Sequence, residues 1–311
     1  MSDLDEQLTK VLGGGVVEHV RRLSGGASRE TYSFDHDGEP RILQRERPGS
    51  VRTGGGMRSE ALLLRAAAKA GVPVAELLAS GDADSPLGAP FIVTGRIDGE
   101  TIARKILRDD EWAPVRPKLA AQCGTALAAI HTIPVDAAPE LEHQDQITQY
   151  REVLDLFREP HPAFELGFRW LEQHRPSAGR VTVVHGDFRH GNFIVDASGL
   201  AAVLDWELGH LGDPMEDLGW LCVKAWRFGA KPPVGGFGQY DELFDAYSEA
   251  SGIAVDADAV HWWEVMGTLK WGVMCMMQAS AHLNGLSRSV ELAQIGRRVC
   301  EQEYDLLELL P

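Results

Sequence analysis

Val184-His185-Gly186-Asp187-Phe188-Arg189-His190-Gly191-Asn192-Phe193, followed by Val203-Leu204-Asp205-Trp206-Glu207, is the text on which the reading of this chain turns. Val181-Thr182-Val183-Val184 and Ala201-Ala202-Val203-Leu204 are apolar runs of strand type, and each breaks into a polar turn. Two such strands joined by an Asp/Gly/Asn turn satisfy ordinary turn preferences and need no chemistry. The turn preferences do not ask for the spacing, which puts Asp187 and Asn192 five positions apart and Asp205 at the end of a following strand.

Phosphoryl transfer needs a carboxylate facing the acceptor hydroxyl, oxygen ligands for a metal that bridges the phosphates, and a cation against the developing charge. The Asp187/Asn192 interval is that of the Asp and Asn in the kinase loop H-R-D-x-x-x-x-N, and Asp205 follows as the metal-binding Asp of D-F-G does. Asp187 is accordingly expected to orient the hydroxyl and accept its proton, while Asn192 and Asp205 hold magnesium. Arg189, two residues after the base, is the expected cation at the transferring phosphate. His185 is read as a brace for the loop, because the sequence offers no second titrating partner for a histidine base. A rival arrangement gathers Asp187, Asn192, Asp205 and His190 or His210 around one ion for metal-dependent hydrolysis.

Outward from this stretch, residues 16–94 alternate short β-like runs with turns and hold one helical pattern over residues 58–70, which implies five short strands with a helix inserted. Beyond Gly95-Arg96-Ile97-Asp98-Gly99 the texture changes to long helical patterns, among them residues 115–131, 147–156, 262–282 and 286–309, joined by loops that carry Pro. The predicted fold is α+β and two-lobed, with an antiparallel sheet plus helix over residues 1–95 and a larger, mainly helical lobe over 96–311. Trp271-Gly272-Val273-Met274-Cys275-Met276-Met277 reads as a buried core helix and not as a ligand box.

With 311 residues, 44% hydrophobic and 24% charged, the chain can bury one large core or two adjoining ones. A formal net charge of −16 opposes capture by nucleic acid or anionic membranes, both of which need clustered Lys and Arg. Four separated cysteines, without a C-x-x-C pair, indicate neither a zinc site nor a disulfide framework. The acidic start, Met1-Ser2-Asp3-Leu4-Asp5-Glu6, is unlike a signal peptide, so a soluble cytoplasmic protein is expected. No oligomeric state follows from the sequence.

The run 185–192, together with Leu204-Asp205-Trp206-Glu207-Leu208-Gly209-His210-Leu211-Gly212-Asp213-Pro214-Met215-Glu216-Asp217-Leu218, resembles the aminoglycoside phosphotransferase and choline kinase-like family. Its wording is most similar to the phosphotransferase domain associated with acyl-CoA dehydrogenases. The resemblance covers residues 22–220 and implies a protein-kinase-like fold, ATP (GTP is an open alternative) in the cleft between the lobes, magnesium, and a small-molecule hydroxyl substrate. It further implies that Ser24, Gly25, Gly26, Ala27 and Ser28 form the turn covering the phosphates, and that Thr94, Gly95, Arg96 and Ile97 lie against the purine.

The family places a cation on the third strand, paired with a Glu on the next helix. Here Gln44 stands at the cation's position, with Arg45 adjacent as a substitute if register or a bulge allows, and Glu60 either pairs with it or is an exposed first-turn Glu. Asp213 and Asp217 are expected to anchor a loop and cap a helix. Hydroxyacyl-CoA, an amino sugar and an amino alcohol are the candidate acceptors. A second possibility, motivated by Gln44, is a nucleotide-binding regulator without turnover.

Overall fold

The computed structural model describes residues 3–23, 29–47, 56–177 and 179–311. Helix α1 (Asp3–Val11) precedes β1 (Val17–Arg22), β2 (Arg29–His36) and β3 (Glu39–Glu46); α2 (Gly56–Lys69) then leads to β4 (Leu77–Gly81) and β5 (Phe91–Gly95). The strands form one antiparallel sheet in the order β1-β2-β3-β5-β4. Asp37-Gly38 closes the β2–β3 hairpin with positive φ at both residues (51° and 82°), the conformation that matches strand twist in a two-residue turn.

Strand alternation gives this sheet two unlike faces. Phe34, Leu43, Phe91 and Val93 pack on one face with Leu8 of α1, while Ile92 packs on the other among Met57, Ala61 and Leu64 of α2. The second cluster continues without a break into Val183, Phe193, Val203 and Trp206, so α2 and the segment carrying the Asp187 loop share one core.

The larger lobe comprises α3 (Ala103–Arg108), α4 (Arg116–Ile130), α5 (Gln146–Phe157), α6 (Pro162–Gln173), β6 (Thr182–Val184), β7 (Phe193–Asp196), β8 (Gly199–Val203), β9 (His210–Gly212), α7 (Met215–Cys222), α8 (Tyr240–Ser251), α9 (Ala257–Leu283), α10 (Val290–Gly296) and α11 (Val299–Leu309). Two short ribbons, β6–β9 and β7–β8, hold the ends of the polar loops. The Trp/Met-rich stretch lies inside α9 with Trp271, Val273, Cys275 and Met276 buried, as a core helix requires. The helical pattern 286–309 divides into α10 and α11. The fold class agrees with the sequence expectation, and the sheet has the five strands with one helix inserted that the sequence implied.

Candidate active site

Strand β6 ends at fully buried Val184, and the polar loop begins at the next residue. Asp217 of α7 fastens the loop from below: its two oxygens accept the main-chain N–H groups of His185 (2.8 Å) and Gly186 (2.9 Å), and His131 Nε2 lies 3.1 Å away. Burial works to raise the Asp217 pKa, but the His131 hydrogen bond and charge and the loop's own groups hold it below the usual range. Gly186 turns the chain at φ 76°, and a Cβ there would run into the carbonyl oxygen of Leu208. His185 is wholly buried: its Nδ1 accepts from Asp187 N (3.2 Å), so Nε2–H donates to Leu204 O (3.0 Å) and ties the loop to the strand end before Asp205. The brace expected from the sequence is therefore observed.

Asp187 emerges with its carboxylate gripped from three sides. Oδ1 accepts from Arg189 Nε (3.0 Å) and from the indole N–H of Trp220 (2.8 Å), and Oδ2 accepts from Asn192 Nδ2 (2.7 Å). Three hydrogen bonds fix the position of the group. Asn192 Nδ2 also donates to the Asp187 carbonyl (3.1 Å), so both of these bonds use the amide nitrogen and the amide oxygen is the group with lone pairs to offer a cation. Asp205 has left-handed backbone (φ 64°, ψ 67°), a costly conformation outside glycine that turns its side chain out of the strand direction. Burial first, then the charge of Glu207, push its carboxyl up to about 7 against the opposing Arg29. Hard oxygen donors from one amide and one carboxylate suit a cation that keeps the rest of its shell for water and phosphate.

Asn192 and Asp205 line a cavity of about 370 Å³ between the sheet and the larger lobe, together with Arg29, Thr31, Gln44, Glu60 and Thr94. The expected Arg45–Glu60 pair is not formed. The β2–β3 register runs unbroken from Arg29↔Glu46 to His36↔Glu39, and the period of two therefore turns Gln44 to the cavity and Arg45 to the opposite face. Arg45 binds Glu30 there at 2.9 Å and lies over the Tyr32 ring. Glu60 is 3% exposed, which removes the exposed first-turn reading, and its oxygens are held by Arg29 at 2.9 Å. Arg29 also binds Glu207 at 2.7 Å and lies 3.7 Å from Asp205.

At the connector, Gly95 N donates to Glu76 O (2.9 Å) and Arg96 N to Pro40 O (3.1 Å), and the Arg96 side chain pairs with Asp98 at the surface. Ile97 does not line the cavity; of the four connector positions Thr94 does. Ser24, Gly25, Gly26, Ala27 and Ser28 lie outside the described residues. The rival hydrolytic cluster is not assembled: His190 Nδ1 bonds to Gly235 O (2.8 Å) and burial lowers its pKa to about 4, while His210 is paired with Glu216. Among the described residues no group of three or more His, Cys, Asp or Glu is placed to hold a metal ion.

The model of the phosphotransferase enzyme family known as APH matches residues 19–255. The chain belongs to this family. Mouse acyl-CoA dehydrogenase family member 10 is 29% identical over 236 residues, which cover 70% of this chain and 21% of that protein. Chicken acyl-CoA dehydrogenase family member 11 is 27% identical over 64% of this chain and 27% of its own length, so the chain spans about a quarter of these curated relatives. Among solved structures, spectinomycin phosphotransferase APH(9)-Ia, in complex with ADP and spectinomycin, superposes with a TM-score of 0.69 at 15% identity, covering 99% of this chain and 98% of that one. The family match establishes a phosphotransferase family, and the structural likeness a kinase-like fold.

The APH-family site includes residues that the sequence did not single out. Trp220 and Arg29 join it across long chain separations, and Lys270 of α9 donates to Gly186 O (3.3 Å) while facing the Trp220 ring. Asp213 accepts from Met215 N (2.9 Å) at the start of α7 and Asp217 anchors the loop, so both hold loop and helix ends as expected. In the larger lobe, Arg151 is committed to Glu165, Arg227 to Glu264, and Trp226 lies buried beneath the Arg189 guanidinium. Next to Trp226 a second cavity of about 800 Å³ opens, with Arg104, Lys224, Phe228, Arg298, Glu301 and Asp305 among its lining residues.

Proposed function

We propose that this chain is an ATP-dependent kinase that transfers the γ-phosphate to a hydroxyl of a small molecule, with Asp187 as the base. The observation that carries the reading is the Asp187 carboxylate, oriented by Arg189, Asn192 and Trp220. It stands beside the two oxygen donors of Asn192 and Asp205 at the inter-lobe cavity. Asp187 accepts the hydroxyl proton as the acceptor oxygen attacks. Arg189, spanning Asp187 and the Trp226 face, offers its remaining N–H groups to the transferring phosphoryl group. Asn192 and Asp205 would hold magnesium, which neutralises phosphate charge when bound. On this reading residues 1–95 bind the nucleotide and residues 96–311 carry catalysis and acceptor recognition.

The lining of the larger cavity ranks the acceptors. Arg104, Lys224 and Arg298 outnumber Glu301 and Asp305 in a chain whose net charge is −16. That local excess favours a hydroxyl compound bearing carboxylate or phosphate, such as a hydroxyacyl-CoA, over a polycationic amino sugar. We place the protein in the cytoplasm; no helix among the described residues is long and apolar enough to cross a membrane. Gln44 at the cavity is the observation that favours a nucleotide-binding regulator instead.

One experiment separates these readings. Purified protein with magnesium and ATP is offered pooled hydroxyacyl-CoA thioesters, amino sugars and amino alcohols, and products are followed by mass for gain of phosphate. A phosphorylated hydroxyacyl-CoA is the expected result. Magnesium-dependent ATP binding with no product across the pools would favour the regulator.

A further inference from the structure

We propose that Arg29 is the cation through which this chain grips the nucleotide's phosphates, carried on β2 in place of the third-strand cation that the chain lacks. The inference rests on the kinase reading above and adds a residue that its motifs do not contain. Gln44 occupies the cavity-facing position of β3 and is neutral. The unbroken β2–β3 register holds Arg45 on the far face against Glu30, so a local slip cannot bring it round.

Arg29 shares the face of Thr31 and Gln44 and is the sole Lys or Arg among the described residues lining this cavity. It takes the buried carboxylate of Glu60 that a third-strand cation would take, with both Nη atoms within 2.9 Å of a Glu60 oxygen. One guanidinium then faces three carboxylates, Glu60, Glu207 and Asp205. A purely structural ion pair needs one carboxylate, and this guanidinium is set among three at the wall of the cavity. Held there by one edge, the arginine keeps other N–H groups to turn to an anion. Its described bonds run through Nη1 and Nη2, so the Nε edge remains for a phosphate oxygen. Because Arg29 links Glu60 of α2 to Glu207 in the larger lobe, the phosphate contact also joins the two lobes at the nucleotide.

The test is ADP binding with magnesium, measured by calorimetry on wild type, Arg29→Gln, Gln44→Lys and the double variant Arg29→Gln/Gln44→Lys, with thermal melts on each. Arg29→Gln is expected to weaken ADP binding roughly 10- to 100-fold, the loss of a charged hydrogen-bonding group from a phosphate site. In the double variant the Gln44→Lys change puts an ammonium toward the same cavity and the same Glu60, and affinity is expected to return to within a few-fold of wild type. Wild-type affinity in a folded Arg29→Gln protein overturns the inference, as does a folded double variant no tighter than Arg29→Gln. If Arg29→Gln does not fold, the double variant decides alone, by binding ADP near the wild-type affinity or failing to. Wild-type protein that binds no ADP removes the kinase reading, and this inference with it.

Discussion

The indole N–H of Trp220 donates to Oδ1 of Asp187 at 2.8 Å across 33 positions of sequence. It reaches from α7, the same helix whose Asp217 holds the backbone of His185 and Gly186, so one helix sets both the path of the loop and the aim of its carboxylate. Trp220→Phe keeps most of the ring packing against Trp226 and removes the donor. Transfer is expected to slow roughly tenfold or more, the worth of one hydrogen bond to a charged group, with ADP affinity unchanged. Steady-state kinetics beside calorimetry checks it; a fall in nucleotide affinity equal to the fall in rate would contradict the assignment.

Asp187 and Asp205 should separate under mutation. Asp187→Asn is expected to leave magnesium-nucleotide binding nearly intact and to cut transfer by orders of magnitude, since only the proton acceptor is lost. Asp205→Ala is expected to abolish magnesium-dependent binding and turnover together. Parallel binding titrations with and without magnesium read the difference, and equal loss of binding in both variants would break the division of roles.

His210 and Glu216 are buried and 3.1 Å apart, and Gln146 bonds to the same carboxylate. Burial works to lower the His210 pKa, but the Glu216 charge and hydrogen bond raise it above its ordinary 6.5; burial works to raise that of Glu216, but His210 and Lys270 hold it below 4.5. A raised histidine contributes stability that is complete below pH 6.5 and is lost as pH rises through the folded value. A lowered carboxylate contributes stability present above 4.5 and lost as pH falls through its folded value. The stability gap between wild type and His210→Gln should therefore be widest between about pH 5 and 6.5 and should shrink on either side, as read by urea unfolding across pH. A gap independent of pH would show that the pair is not ionised in the folded protein.

Arg104 is exposed at the rim of the larger cavity, whereas Lys224 is tied to Asp305 at 2.6 Å and Arg298 to Glu301 at 3.1 Å. Arg104→Glu should raise KM for an anionic acceptor roughly 5- to 10-fold and leave KM for ATP and the melting temperature unchanged. An unaltered acceptor KM would place the acceptor elsewhere.

The Asp187–Asn192 loop was readable because its residues are neighbours in the chain. Asp187 and Asn192 lie within one turn of chain, and the β-like runs around Asp187 and Asp205 mark where that turn must sit. The five-strand sheet was equally readable, since alternating apolar residues and turn pairs such as Asp37-Gly38 fix strands and hairpins over short distances. The Gln44/Arg45 ambiguity was different in kind. A string of residues does not say which of two neighbours faces the cleft, and a single-residue slip exchanges them; only the paired register of β2 and β3 decides it.

By itself, then, the sequence determined the family, the two-lobed order of elements, and the spacing of Asp187, Asn192 and Asp205, because each rests on neighbours in the chain. Tertiary structure alone decided that Arg29 and not Arg45 meets Glu60, that Trp220 aims Asp187, and that the loop Asp217 anchors is the one at His185 and Gly186. Those contacts join residues 31 to 33 positions apart through buried polar groups, which have to find partners somewhere in the fold but whose partners no local pattern names.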